Sequence, residues 1–158
     1  MDVFHAHDHT SCKAEALSRA EATCAAKGAR LTPVRRRTLE ILLETHKALG
    51  AYDVLDRLAK EGFGRQPPVA YRALDFLVEN GLAHRIQRLN AFTACTHAGG
   101  HSHAPVFLIC ERCHLVAEAP GTRVRSALDA AAAEAGFSVG QAHVDALGLC
   151  PACRAAEQ

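Results

Sequence analysis

Two cysteine pairs, Cys110-x-x-Cys113 and Cys150-x-x-Cys153, constrain this chain more than any other feature. A CxxC segment aims two thiolates at one point. Two such segments supply four soft ligands in a tetrahedron, the arrangement zinc prefers. Four thiolates leave no open coordination position, so the site they imply is structural rather than catalytic. The gap between the pairs is longer than in a zinc ribbon and has room for a strand and a helix. The beginning, MDVFHAHDHTSCKAE, lacks the basic start and apolar stretch of a signal peptide, so a cytoplasmic location is expected. Cysteines there stay reduced, and paired ones read as metal ligands rather than disulfides. No apolar run approaches the ~20 residues that a membrane helix needs.

Around this staple the periodicity divides the chain in two. Residues 11–27 read as an Ala-rich amphipathic helix stopped by Gly28. Thr32 then suits an N-cap and Pro33 a first helical position, for a helix fading near His46. A third helix is expected over Ala51–Lys60, and Pro67-Pro68 opens a fourth, VAYRALDFLVEN, ended by Asn80-Gly81. The strands LAHRIQRL and AFTAC follow, with Asn90 in the turn between them. Helices followed by a hairpin is the order of a winged helix-turn-helix, in which the helix before the hairpin enters the major groove. Beyond Pro105 the pattern is β-β-α-β: VFLIC, HLVAEA, an Ala-rich helix over 122–135 closed by Gly136, and the extended FSVGQAHVDALGLC. About 50 residues make an insecure domain, so a metal staple or dimerisation is expected. The fold class is α+β, an N-terminal winged helix-turn-helix domain plus a small C-terminal α/β dimerisation domain. The boundaries are 1–94 (with 1–10 a flexible His-rich tail), a hinge over 95–105, and 106–158.

Charge follows the same division. Residues 1–94 carry 14 Lys and Arg against 11 Asp and Glu, and residues 95–158 carry 4 against 6. The basic half is the candidate for nucleic acid. Arg30, Arg35, Arg36, Arg37, Arg65, Arg72, Arg85 and Arg88 lie around the helix-turn-helix, where phosphates need neutralising. A second ligand group, His84, Cys95, His97, His101, His103 and Glu118, surrounds the hinge. One zinc drawing ligands from the wing, its end, the hinge and the second domain would tie the domains together. An enzyme is not expected, because a zinc hydrolase needs an open position and a nearby general base. HAHDH over 5–9 is one residue short of a metallo-hydrolase motif, and Glu111-x-x-His114 is committed to the CxxC turn.

RLTPVRRRTLEIL, GAYDVLDRL, PPVAYRALDFLVENGLAHRI, NAFTAC, FLICERC and GLCPAC occur in that order over about residues 20–154. Together they resemble the Fur family of metalloregulators and, within it, the Zur (zinc uptake regulator) branch. The resemblance implies a homodimer that binds operator DNA more tightly when loaded with zinc and silences zinc-import genes. It implies two zinc ions per chain. Cys110, Cys113, Cys150 and Cys153 correspond to the structural zinc ligands, and His84, Cys95, His103 and Glu118 to the regulatory ones, with His97 and His101 as possible substitutes. Tyr52, Tyr71 and Arg72 correspond to the DNA-binding residues. The family's recognition helix usually reads P-x-T-V-Y-R, whereas this chain has Pro68-Val69-Ala70-Tyr71-Arg72 and lacks the threonine hydroxyl. Two alternatives stay open, an iron- or peroxide-responsive member of the family and a constitutive zinc-stapled nucleic-acid-binding module. The thiolate of Cys95 favours zinc over iron or manganese.

Overall fold

The computed structural model describes residues 9–96 and 105–156. Helix α1 (His9–Ala26) buries Leu17, Ala20 and Cys24, one helical face, and ends at Gly28, whose φ of +64° suits a residue without Cβ. Helix α2 (Pro33–Leu43) starts where expected, with Thr32 extended and Pro33 in the first turn, although the Thr32 hydroxyl makes no capping bond. Strand β1 (Leu49–Gly50) leads into helix α3 (Ala51–Lys60), whose first turn is fixed by the Gly50 amide donating to Asp53 Oδ2 at 3.0 Å. Helix α4 (Pro67–Glu79) closes the set, and its end is tied by Asn80 Nδ2 donating to the Phe76 carbonyl at 2.8 Å. Leu39, Ile41, Leu42, Val54, Leu58, Leu74 and Leu77 from α2, α3 and α4 make one core.

Strands β2 (Ala83–Ile86) and β3 (Ala91–Ala94) form the wing, and β1 completes an antiparallel sheet in the order β1-β3-β2. Between β2 and β3 the chain makes a 3-10 turn over Gln87–Leu89 and passes through Asn90 at φ 45°, a left-handed position that asparagine tolerates. Every residue of β3 is buried, so both faces of this strand are covered. Phe92 and Ala94 join the helical core on one face. On the other face lies the second half of the chain.

That half is a sheet in the order β5-β4-β6, from β4 (Val106–Cys110), β5 (Val116–Ala119) and β6 (Val144–Gly148). β4 pairs antiparallel with β5 and parallel with β6, and helix α5 (Thr122–Glu134) makes the crossover that a parallel pair requires. A short helix α6 (Pro151–Ala155) follows. No residue of α5 is buried, and Val124, Leu128, Phe137, Leu147 and Leu149 are exposed. No described helix is long and apolar enough to cross a membrane.

Differences from the sequence expectations are local. The strand expected over LAHRIQRL stops at Ile86, because the 3-10 turn takes over at Gln87. The extended segment expected after Phe137 becomes a strand only from Val144, and Cys150-x-x-Cys153 opens α6 rather than forming a turn. Strand β1, two residues long, carries no periodicity to read. The tail over 1–8 and most of the expected hinge, 97–104, lie outside the described residues.

Candidate metal centres and nucleic-acid interface

The first cluster is built by chain turns at one end of the second sheet. Cys110 ends β4, and the chain reverses through Arg112 and Cys113, with His114 at φ 60° and its amide donating to the Cys110 carbonyl at 2.9 Å. Cys150 caps α6 and Cys153 lies in its first turn. The ligand atoms of Cys110, Cys113, Cys150 and Cys153 all lie within 4.8 Å of one another. Cys113 Sγ and Cys150 Sγ are 3.7 Å apart. A Zn–S bond of about 2.3 Å in a tetrahedron gives an S···S edge of about 3.8 Å, and a disulfide would need about 2.0 Å. The donor set therefore fits zinc in number, chemistry and spacing. The amides of Cys150 and Cys113 hold the Cys110 thiol down at about 6. Burial and the neighbouring thiols push Cys153 up to about 12. A metal ion entering this site displaces protons from thiols that crowd one another. Arg112 Nη1 donates to the Cys153 carbonyl at 3.0 Å and clamps one cysteine pair to the other.

The second cluster lies between the halves. His84 comes from β2, Cys95 follows β3, and Glu118 comes from β5. Their ligand atoms also lie within 4.8 Å of one another. Cys95 and Glu118 are buried. His84 Nε2 is 3.3 Å from Glu118 Oε1. Zn–N and Zn–O bonds of about 2.0–2.1 Å give a tetrahedral edge of about 3.3–3.4 Å, so this pair fits a shared ion. Glu118 Oε2 accepts from the amide and the hydroxyl of Thr96, each at 3.1 Å, which orients the carboxylate and leaves Oε1 towards His84. A buried carboxylate is costly without a cation, and the imidazole and thiol beside it add two further zinc-type ligands. His103 lies outside the described residues, as do His97 and His101. His114 and His143 are exposed and belong to neither cluster.

The prospective DNA face is the exposed side of α3 and α4. Tyr52, in the first turn of α3, is 63% exposed, and Tyr71 and Arg72 are exposed near the start of α4. The position of the missing threonine is taken by a half-buried stretch, Val69 beside the buried Ala70, which packs inward and presents no hydroxyl. The expected arginine face is smaller than the sequence suggested. Arg37 is held by Glu61 (2.6 Å), Glu44 (2.8 Å) and Glu40 (3.2 Å), and Arg36 by Glu21 and Glu40. Both stitch α2 to neighbouring helices, so these carboxylates compete with phosphates for them. Arg35 stacks over the Phe76 ring at 3.7 Å and donates to the Arg30 carbonyl. Arg85 donates to Asn90 Oδ1 at 2.8 Å within the wing. Arg30, Arg65, Arg72 and Arg88 are exposed with no ion pair among the described residues. Two contributors, Thr96 and Arg112, were not singled out from sequence. Thr96 adjoins Cys95 and Arg112 lies inside a CxxC, but neither residue type marks its neighbour as a ligand support.

These features define a class, a winged-helix module joined to a small α/β module stapled by four cysteines, with a second ligand cluster between them. The chain belongs to the ferric uptake regulator family, whose family model matches residues 26–146. It is 37% identical over 139 residues to the zinc uptake regulation protein of Escherichia coli (strain K12), spanning 88% of this chain and 81% of that protein. Among solved structures, a zinc uptake regulator complexed with zinc and DNA matches with a TM-score of 0.84 at 35% identity, over 92% of this chain and 97% of the other. Holo XcZur matches at 0.79 and 38% identity, over 88% and 96%. Apo XcZur matches at 0.52 and 37% identity, over 91% and 99%.

Proposed function

We propose that this chain is a zinc-responsive transcriptional repressor that binds operator DNA as a zinc-loaded homodimer and silences zinc-uptake genes, working in the cytoplasm as a regulator and not as an enzyme. The observation that carries the reading is the cluster of His84, Cys95 and Glu118, whose ligands come from both halves of the chain. An ion there acts as a bolt across the junction, with His103 from the hinge as its fourth ligand. The buried thiol of Cys95 favours zinc over iron. Cys110, Cys113, Cys150 and Cys153 hold a second, structural zinc, for two ions per chain. Residues 1–94 form the DNA-binding domain, 95–105 the hinge and 106–158 the dimerisation domain. The exposed apolar residues of and around α5 and β6 provide a face for the second copy. Tyr52, Tyr71 and Arg72 face the DNA.

The comparisons support a metal-linked change of shape. Holo and apo XcZur are equally similar to this chain in sequence, yet the holo form matches at 0.79 and the apo form at 0.52. Sequence divergence cannot produce that gap, so the arrangement of this chain is the holo-like one. In this arrangement the bridging zinc fixes each winged helix relative to the dimerisation domain, and the two recognition helices match successive major grooves. Typical couplings of about 1–3 kcal/mol per site change affinity about 5–150-fold, and a dimer has two sites.

The test is operator binding on the gene's own promoter region with zinc, iron, manganese or chelator. Binding that strengthens with zinc alone supports the reading. Binding driven by iron or manganese gives the sensor another metal, and affinity unchanged by mild chelation makes the protein a constitutive DNA-binding module.

A further inference from the structure

The two halves also meet in an apolar seam that contains no zinc ligand. Ile86, the last residue of β2, is fully buried yet stands apart from the winged-helix core. Its cluster partners are Phe107 and Ile109 of β4 and Val116 of β5, with Ala48 packed alongside. Beside this seam the backbone crosses the same boundary. The Val116 amide donates to the His46 carbonyl at 2.9 Å, and Lys47 and Leu115 form an antiparallel bridge. The His84 ring meets Phe107 edge-on, with centroids 5.4 Å apart. Side chains alternate along a strand, so His84 and Ile86 share the face of β2 that looks at the second half.

A contact made in only one of two arrangements acts on every ligand that prefers that arrangement. We propose that this seam is a metal-independent latch, in which Ile86, Phe107, Ile109 and Val116 are positioning residues whose packing sets the free-zinc concentration at which operator binding begins. The proposal rests on the zinc-sensing reading. The packing of the seam biases the closing equilibrium that zinc and DNA both draw upon, and reciprocity transmits any loss there to both ligands.

Ile86→Ala removes three carbons from a buried site, which lowers the closing equilibrium on the order of 50-fold. The expected result is a zinc midpoint for operator binding raised by about tenfold or more, with dimer mass, circular dichroism and the cysteine-bound zinc unchanged. Ile86→Val removes one carbon, lowers the closing equilibrium about fourfold and should shift the midpoint only about twofold, a graded rescue that a folding defect would not give. Val116→Ala, from the opposite side, should act in the same direction, and the double variant Ile86→Ala/Val116→Ala should shift less than the product of the two single shifts. A wild-type midpoint in both single variants overturns the latch, and so does a shift that appears only together with loss of the dimer. The sensing reading fails separately, through absence of any zinc response in the unmodified protein. In that case small-angle scattering of the zinc-loaded chain without DNA still decides the latch, which requires Ile86→Ala to be more extended than wild type.

Discussion

Replacing Cys95 by serine isolates the bridging site from everything else in the molecule. Cys95 is buried, and its sulfur lies within 4.8 Å of the ligand atoms of His84 and Glu118. A serine hydroxyl is smaller than the thiol and stays protonated at neutral pH, so it reaches less far and carries no charge to the ion. Structural zinc sites of four ligands bind with about 10–16 kcal/mol at neutral pH, or about 3 kcal/mol per ligand. A water replacing the lost ligand recovers part of this, leaving a penalty of about 2 kcal/mol and a zinc affinity about 30-fold weaker. Thr96 continues to orient Glu118, so the remaining ligands stay in place. The assay is zinc-titrated operator binding with free zinc set by a chelating buffer, alongside total zinc by elemental analysis. The variant should remain a folded dimer with one tightly held zinc per chain and should lose repressor affinity in the free-zinc range where the wild type responds. Cys95→Asp should restore a charged ligand while moving preference towards harder metals. A wild-type zinc midpoint for Cys95→Ser would refute the assignment of Cys95 and, with it, the main chemical argument for zinc over iron.

Further expectations concern the other sites. Cys113→Ser should release the structural zinc and monomerise or unfold residues 106–158, seen as loss of dimer mass with the helical signal of the winged helix retained. Arg72→Ala should abolish specific operator binding while both zincs and the dimer persist, since a base-reading arginine contributes about 1–3 kcal/mol in each subunit; retained specificity at physiological salt would place base reading elsewhere. Arg37→Leu should lower the thermal midpoint at neutral pH. Arg37 holds the carboxyls of Glu44 and Glu61 below their ordinary range, so its contribution is present above the usual carboxylate pKa and fades as pH falls through the depressed values; the gap from wild type should narrow as pH drops below the ordinary carboxylate range.

Much of this architecture is written locally. Pro33, Pro67 and Cys110-x-x-Cys113 announce two helix starts and a turn from a few residues each, and the structure places α2, α4 and that turn accordingly, while the second cysteine pair opens a helix instead. For the bridging cluster the residues alone offered six candidates around the hinge, and the family resemblance singled out His84, Cys95 and Glu118, which the structure brings together. The misses share one cause. Which arginines face DNA depends on partners distant in sequence, as with Arg37 and Glu61, and a charge carries no mark of its partner. The burial of Ile86 depends on a sheet that begins 20 residues later at Val106, so its role is invisible in the alternation of its own strand. The edge of β2 was misplaced because Gln87–Leu89 continue a strand-like pattern through a turn that only Asn90, in its left-handed conformation, reveals.

The four residues of β2 carry a consequence for how such a protein can change over time. Ala83 belongs to the helical core, His84 reaches the bridging cluster, Arg85 lies over Phe92, and Ile86 fills the seam. Each assignment depends on the parity of its position, because neighbouring side chains in a strand point to opposite faces. A single inserted or deleted residue would turn the imidazole away from the ion, expose the isoleucine and direct a guanidinium at the second sheet, all in one step. Substitution remains open to this strand, and the preferred metal or the sensitivity of the response can drift one residue at a time. Length does not, so among descendants of this chain insertions and deletions should gather in the segment after Thr96 and spare the wing.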